Sequence, residues 1–299
     1  MSAATLSILV GLALFSQGAE EEPGYTRMRT SSGKCLRWIG NDLLPWTPSD
    51  KLDVALPGSL ASVQRAFDVW QSQMDACGNL RFLQAEATPS THVGYRSKDT
   101  KENLIIVRQG SCQRTVSPSD SCWQNNSCGN IHNCWQYDES ALAVTLTTFV
   151  SATGQLLDAD IEINSNYTYA VDRTPPCQNC FFEDLDAVMI HEIGHVLGLG
   201  HSKKTSSIMY PTLAAGLKES YALDSDSAQF VCDVYPKGRP SQECTLEEGS
   251  VSSSSFSPLA KSSGCVVNVS SDSSVWVWGV VVVLLLGLRR GAVRGRGRA

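Results

Sequence analysis

Positive charge is scarce in this sequence outside its last eleven residues. The chain carries 24 Lys+Arg against 30 Asp+Glu, and five of the arginines lie between residues 289 and 299. Without those five arginines, 19 basic residues remain against 30 acidic ones. Such a net negative charge repels a phosphate backbone, so we expect no nucleic-acid partner. Internal repeats are absent as well, which argues against an array of repeated units.

The composition excludes a wholly disordered chain. Hydrophobic residues make up 42% of the 299 residues and aromatic residues 8%, so the chain can bury a sizeable core in one or two domains. The 11 cysteines indicate an oxidising compartment if the chain is exported, because disulfides persist there.

The first 19 residues have the layout of a cleaved secretory signal. An apolar run covers residues 6–15, and the small residues Ser16, Gly18 and Ala19 follow it. The run lacks the Lys or Arg that usually precedes it, and a buried N-terminal helix is the alternative. We therefore expect an exported protein in which residues 20–33 form a short N-terminal segment.

The other end of the chain points to a cell surface. Residues 245–274 are rich in serine and are interpreted as a flexible linker, and residues 275–299 are an apolar stretch with an arginine-rich tail. The apolar stretch covers the 14 residues 275–288. As a helix it would be about 21 Å long, which is shorter than the roughly 30 Å hydrocarbon core of a membrane. The Gly264-Cys265 pair with this tail resembles the C-terminal sorting signals of myxobacterial surface proteins. The resemblance implies a bacterial, secreted or surface-held protein, and a plain membrane anchor is the alternative.

Residues 34–244 are predicted to form one domain of the α+β class. Apolar residues at helical spacing predict a helix over residues 59–77, which Gly78 ends. Alternating and β-branched patterns predict strands, and the remaining periodic segments predict two more helices. The predicted strands are 80–83, 104–107, 142–150 and 159–164, and the predicted helices are 184–197 and 225–235.

Three of the five histidines lie in the eleven residues 191–201, which read HEIGHVLGLGH. On a helix, His191 and His195 are about one turn apart, so both imidazoles point to one side and can hold one cation. Gly198 allows a backbone turn that brings His201 round as a third ligand. Three neutral imidazoles leave the fourth tetrahedral position open, as in a catalytic Zn²⁺ site.

Glu192 directly follows the first of these histidines and is the predicted general base. Zinc lowers the pKa of its bound water to about 7, the carboxylate takes the proton, and the hydroxide attacks a polarised peptide carbonyl. A bare HExxH arises by chance in many chains, whereas HExxHxxGxxH fixes five residues. The sequence therefore predicts Zn²⁺ as cofactor and a polypeptide as substrate.

The segment 191–201, with Met209 after it, resembles the metzincin zinc proteases. Ser202 follows the third histidine, as it does in the matrixins, and residues 207–211 (SIMYP) resemble the matrixin Met-turn. The resemblance implies a metzincin fold, in which a twisted five-stranded mixed sheet lies over the active-site helix. It also implies that Met209 lies beneath the metal.

The same resemblance implies a substrate cleft. An extended substrate would add to an antiparallel edge strand at 142–150, and Pro211, Thr212 and Leu213 would line a side-chain pocket. Leu213 stands where matrixins usually carry Tyr, so no cleavage preference is carried over. The matrixin latency motif P-R-C-G is absent, and Cys35 as a zinc-blocking switch is the less favoured alternative.

Ten of the 11 cysteines lie between residues 35 and 244, an even set that favours disulfides. Cys177 and Cys180 are expected to staple the loop before the active-site helix. A second zinc is the alternative for one group: Cys112, Cys122, Cys128 and Cys134 with His132.

An acidic group lies on the strand at 159–164 and just before it. Asp158, Asp160 and Glu162 are candidates for the structural Ca²⁺ that matrixins often have, although a solvated strand face is favoured.

The function predicted from sequence is a secreted or surface-anchored, monomeric zinc endopeptidase. A non-catalytic surface adhesion or binding module that keeps the zinc fold is the alternative. A zinc hydrolase that acts on another kind of bond is a third hypothesis.

Overall fold

The computed structural model describes residues 24–40, 43–96, 102–244 and 277–285. Its strands are β1 Leu43–Pro48, β2 Arg81–Gln84, β3 Leu104–Arg108, β4 Ala141–Val150, β5 Gln155–Asn164, β6 Tyr169–Ala170, β7 Glu183–Asp184 and β8 Val277–Leu285. Its helices are α1 Leu52–Ala55, α2 Ser59–Cys77, α3 Cys112–Thr115, α4 Cys128–His132, α5 Leu185–Val196 and α6 Ser225–Val234. The predicted signal (1–19) and linker (245–274) lie outside the described residues.

The main sheet has the strand order β2-β1-β3-β5-β4-β8. Strands β2, β1, β3 and β5 run parallel, whereas β4 runs antiparallel to β5. Helices α2 and α5 pack against each other, and α5 also packs against β4. Five strands of the 34–244 domain thus form the expected mixed sheet, and the α+β class is confirmed.

Helix α2 has the predicted bounds because its apolar residues recur at helical spacing. Val63, Phe67, Trp70 and Met74 are buried on one face of it. Its first residues follow Gly58 without a side-chain cap, and the carboxylate of Asp53 accepts the Leu60 N–H instead, at 2.7 Å.

The first strand was not predicted from the sequence. Strand β1 contains Pro45 and Pro48, and proline cannot donate a backbone hydrogen bond to a ladder. The strand tolerates both because it pairs with β2 over its first four residues and with β3 over its last two. The strand predicted at 159–164 also begins too late, since β5 begins at Gln155.

Residues 277–285, within the apolar C-terminal stretch, form a sixth strand of the sheet. Strand β8 pairs antiparallel with the outer side of β4, from Val277 opposite Val150 to Leu285 opposite Ala141. The edge that was predicted to bind a substrate is therefore paired within the chain. Among the described residues, no helix has the length and apolar character needed to cross a membrane.

All ten cysteines between residues 35 and 244 form disulfides, as the sequence favoured. The pairs are Cys35–Cys244, Cys77–Cys232, Cys112–Cys134, Cys122–Cys128 and Cys177–Cys180. The disulfides Cys112–Cys134 and Cys122–Cys128 stabilise the segment between β3 and β4. Because all four sulfurs are bonded, they cannot hold a second zinc as thiolates. Cys35 is likewise unable to act as a zinc-blocking thiol.

The acidic side chains of β5 are buried, so the expectation of a solvated strand face is wrong. Asp160 accepts the backbone N–H groups of Gly94 and Leu104 at 2.5 and 2.6 Å. Glu162, which is fully buried, forms an ion pair with Arg108 and accepts the Tyr137 hydroxyl. Buried carboxylates need such partners because desolvation penalises the charge.

Candidate metal centre

The helix that carries the first two histidines is buried on every side. All twelve residues of α5 are buried, which fits a helix with apolar residues around most of its circumference. The Asp184 side chain caps its start by accepting the Ala187 N–H at 3.3 Å. The Trp70 indole of α2 donates to the Ile190 carbonyl at 2.9 Å and fixes the helix from the side.

A left-handed turn ends α5 and brings the third histidine back. Gly198 has a φ of +87°, and a Cβ at this position would overlap the Leu36 carbonyl oxygen. The N-terminal segment pairs with this turn, since the Met28 N–H donates to Gly198 and the Gly200 N–H donates to Thr26. The predicted role of Gly198 follows from both its conformation and this close approach.

We expect Gly198→Ala to destabilise the fold and to weaken metal binding. The positive φ costs about 1–2 kcal/mol, and the backbone clash with Leu36 adds about 1–3 kcal/mol. Gly216→Ala is the matched control, because Gly216 has a φ of +95° but a Cβ added there would meet no heavy atom within 4 Å beyond its chain neighbours. Denaturant unfolding and zinc content of both variants measure the difference, and equal losses would contradict the role of the close approach.

The three predicted metal ligands converge on one point. The Nε2 atoms of His191 and His195 are 3.0 Å apart, and the ligand atoms of all three histidines lie within 4.8 Å of one another. Two nitrogens bound to one tetrahedral zinc at 2.0–2.1 Å would be about 3.3 Å apart. His201 is less buried than the other two, and its Nε2 has no hydrogen-bond partner among the described residues.

The hydrogen bonds of the two buried imidazoles favour a cation between them. The Nδ1 of His191 lies 2.7 Å from the Ile208 carbonyl oxygen, and the Nδ1 of His195 lies 2.7 Å from that of Leu199. A carbonyl only accepts, so each Nδ1 carries the proton and each Nε2 presents a lone pair. Two lone pairs that face each other at 3.0 Å repel unless a cation lies between them, so the donor set fits Zn²⁺.

Burial keeps these imidazoles neutral and ready to bind a cation. It lowers the pKa of His191 to about 3, with repulsion from His201 as the next cause. Burial also holds the pKa of His195 well below its usual value, and the pKa of His201 is lowered for the same reason. Neutral imidazole is the form that binds zinc.

The predicted Met-turn passes directly beneath α5. A Cβ on Gly194 would overlap the Met209 sulfur, so the glycine lets the methionine side chain pack directly against the helix. The Ser202 N–H donates to the Met209 carbonyl at 2.8 Å, which ties the turn to the residue after His201.

Asp224 connects this turn to the centre. Its carboxylate caps α6 through the Ser227 N–H and also accepts the Ser207 hydroxyl and the Ile208 N–H. The Ile208 carbonyl in turn accepts a hydrogen bond from His191 Nδ1, so Asp224 orients a predicted metal ligand through one intermediate residue. No pattern in the sequence predicts this second role, because Ser207 lies 17 positions from Asp224.

Glu192 lies beside the histidines and is fully buried. Burial raises its pKa to about 8, and the hydroxyl of Thr145 opposes this shift. Thr145 donates to Oε2 at 2.5 Å, whereas Oε1 has no hydrogen-bond partner among the described residues. A cation held by the neighbouring imidazoles would favour the carboxylate form.

The residues predicted to line a pocket lie just after the Met-turn. Pro211 and Thr212 are half-buried, whereas Leu213 is buried and belongs to the main hydrophobic core. The chain that follows is anchored at the start of α5, because Lys218 N–H and the Tyr221 hydroxyl both donate to Asp184.

The described residues contain one other group of three possible ligand atoms. It consists of Asp120, Cys122 and His132, and the sulfur of Cys122 is already bonded to Cys128. Within the same part of the chain, Asp158, Asp160 and Glu162 do not form such a group, so these three side chains alone do not make the candidate Ca²⁺ site.

The fold is of the metzincin type, and three histidines converge on one point within it. The matrixin family model matches residues 50–236, and the chain belongs to that family. Metalloendoproteinase 4-MMP of Arabidopsis thaliana is 40% identical over 97 residues, which are 32% of this chain and 26% of that protein.

Two further relatives match over shorter stretches. Metalloendoproteinase 2-MMP of Arabidopsis thaliana is 48% identical over 52 residues, 17% of this chain and 14% of its own length. Matrilysin of Rattus norvegicus is 44% identical over 50 residues, 17% of this chain and 19% of its own length. The chain therefore aligns with about a quarter or less of each of these relatives.

Proposed function

We propose that this protein is a zinc-dependent endopeptidase. The observation that carries the proposal is the convergence of three neutral imidazole nitrogens next to a buried carboxylate with one unpartnered oxygen among the described residues. Membership of the matrixin family and relatives named as metalloendoproteinases support the same activity. An adhesion module has no need of the buried Glu192, whose desolvation costs stability.

Each residue of the centre has a distinct part in the proposed reaction. His191, His195 and His201 would hold the zinc, which would supply Lewis-acid chemistry at the scissile carbonyl. Glu192 accepts a proton from the attacking water and later donates it to the leaving amine. The carbonyls of Ile208 and Leu199 keep the two buried imidazoles in the tautomer that binds metal.

The substrate is proposed to lie extended along β4. Thr145 on this strand reaches Glu192, so a peptide beside β4 would bring its backbone to the centre. Pro211, Thr212 and Leu213 are proposed to shape the pocket for the residue after the scissile bond. Strand β8 occupies the outer side of β4, so the substrate would have to displace it there.

We further propose that the protein acts outside the cytoplasm as a monomer. Five disulfides in the described residues support an oxidising compartment. Export by residues 1–19 and surface attachment through residues 275–299, with the bacterial source that the tail implies, remain proposals.

Metal removal is expected to abolish proteolysis. Purified protein with its disulfides formed should contain about one zinc per chain and digest casein, because the three imidazoles form a single site. A chelator should stop the digestion, and added zinc should restore it.

Two results would contradict the proposal. Zinc-loaded protein that leaves casein and a peptide library uncut would favour the binding module or a hydrolase of another bond. Digestion that persists after complete metal removal would exclude the zinc mechanism.

A further inference from the structure

A threonine of the sheet makes a direct contact with the proposed general base. Thr145 lies in β4, is fully buried, and its hydroxyl is 2.5 Å from Glu192 Oε2 and 3.2 Å from the Glu192 carbonyl oxygen. These two distances favour the carboxylate as the acceptor, because a hydrogen bond to a charged oxygen is shorter and stronger. The hydroxyl has one proton, so Oε2 is its main partner.

The two oxygens of this carboxylate have different surroundings. Oε2 is held by Thr145, whereas Oε1 is buried without a hydrogen-bond partner among the described residues. A carboxylate turns about its last C–C bond over a broad range, because this torsion has no sharp staggered minima. One hydrogen bond from a strand in the sheet is enough to fix that rotation.

We propose that Thr145 is a positioning residue that holds Oε2 of Glu192 and reserves Oε1 for proton transfer. The inference rests on the proposed function, since it assigns the transferred proton to one atom of the same carboxylate. Thr145 itself neither gains nor loses a proton in the reaction. Its effect is on the orientation of Glu192 and therefore on the chemical step.

Two substitutions separate the hydroxyl from the shape of the side chain. Thr145→Val keeps the volume and removes the hydroxyl, whereas Thr145→Ser keeps the hydroxyl and removes a methyl group. We expect Thr145→Val to lower kcat about 10- to 100-fold while KM changes less than about twofold, as is typical when a supporting hydrogen bond is lost. Thr145→Ser should keep kcat within about threefold of the parent.

Thr47→Val is the matched control. Thr47 is also a buried strand threonine, but it lies in β1, which β3 and β5 separate from β4. This variant should retain the kcat of the parent within about twofold. Zinc content and thermal unfolding of all three variants show whether any loss of rate comes from loss of metal or fold.

Crystal structures of the metal-free proteins provide a readout that is independent of activity. Glu192 should adopt one side-chain conformer in the parent and in Thr145→Ser, and more than one in Thr145→Val. The proposal is overturned if Thr145→Val keeps the parent kcat, if the serine variant loses as much as the valine variant, or if Glu192 stays in one conformer without the hydroxyl. If the zinc-loaded parent had no protease activity, the proposed function would be wrong. The conformers of Glu192 would still test the positioning role of Thr145.

Discussion

Replacement of Glu192 by glutamine should stop peptide hydrolysis and leave zinc bound. Glutamine keeps the size of the side chain and an oxygen that can accept from Thr145, but it cannot take a proton from water. General acid–base groups contribute about 10²- to 10⁴-fold to rate, so we expect kcat to fall by at least about 10²-fold. Zinc stoichiometry should stay near that of the parent because all three imidazoles remain.

The matched control for this variant is Glu139→Gln. Glu139 is exposed, precedes β4 in the chain and forms an ion pair with Arg114. Its replacement should leave both kcat and zinc content unchanged. If Glu192→Gln hydrolysed peptides at the parent rate with zinc in place, another group would have to be the base and the proposed mechanism would be wrong.

Arg108→Met should cause the largest loss of stability of any substitution considered. Arg108 is fully buried and forms an ion pair with Glu162, which is also fully buried. Its remaining donors bond to four acceptors, namely the carbonyls of Thr91 and Gly129 and the side-chain oxygens of Asn130 and Asn133. The substitution leaves a buried carboxylate with only the Tyr137 hydroxyl as a partner among the described side chains, at a cost of about 3–5 kcal/mol in unfolding free energy.

Denaturant unfolding would measure this loss, and two further variants identify its cause. Arg114→Met breaks an exposed ion pair with Glu139 and should change stability by less than about 1 kcal/mol. The double variant Arg108→Met/Glu162→Gln should be more stable than Arg108→Met, because it removes the unpaired charge. A double variant as unstable as the single one would show that packing, and not the buried charge, dominates.

The parts of the site that follow one another in the chain could be predicted from the sequence. His191, His195 and His201 are fixed by helical spacing and one glycine, and local geometry needs no information from distant residues. For the same reason, α2 was predicted with its observed bounds.

Contacts between distant segments could not be predicted in this way. Thr145 is 47 positions from Glu192, and nothing in the alternation of its strand distinguishes it from the other inward-facing residues. The burial of Asp160 and Glu162 was missed because their partners, Leu104 and Arg108, lie on a neighbouring strand more than 50 residues away. Alternation gives the face of a side chain and does not reveal what covers that face.

Strand β1 was missed for a different reason. Its two prolines are ordinarily evidence against a strand inside a sheet. Only the tertiary structure shows that its pairing changes from β2 to β3 along its length, and local propensity carries no signal of such a change.

The backbone amides and carbonyls on the outer edge of β4 can pair with only one strand at a time. Residues 277–285 belong to the same molecule, and a tethered strand behaves as if present at a concentration on the order of millimolar. A free polypeptide below that concentration competes poorly with residues 277–285 for this edge, even if both strands have the same intrinsic affinity for it. Any interaction that removes residues 277–285 from the sheet would therefore expose the edge of β4 to a substrate without changing any residue of the metal centre.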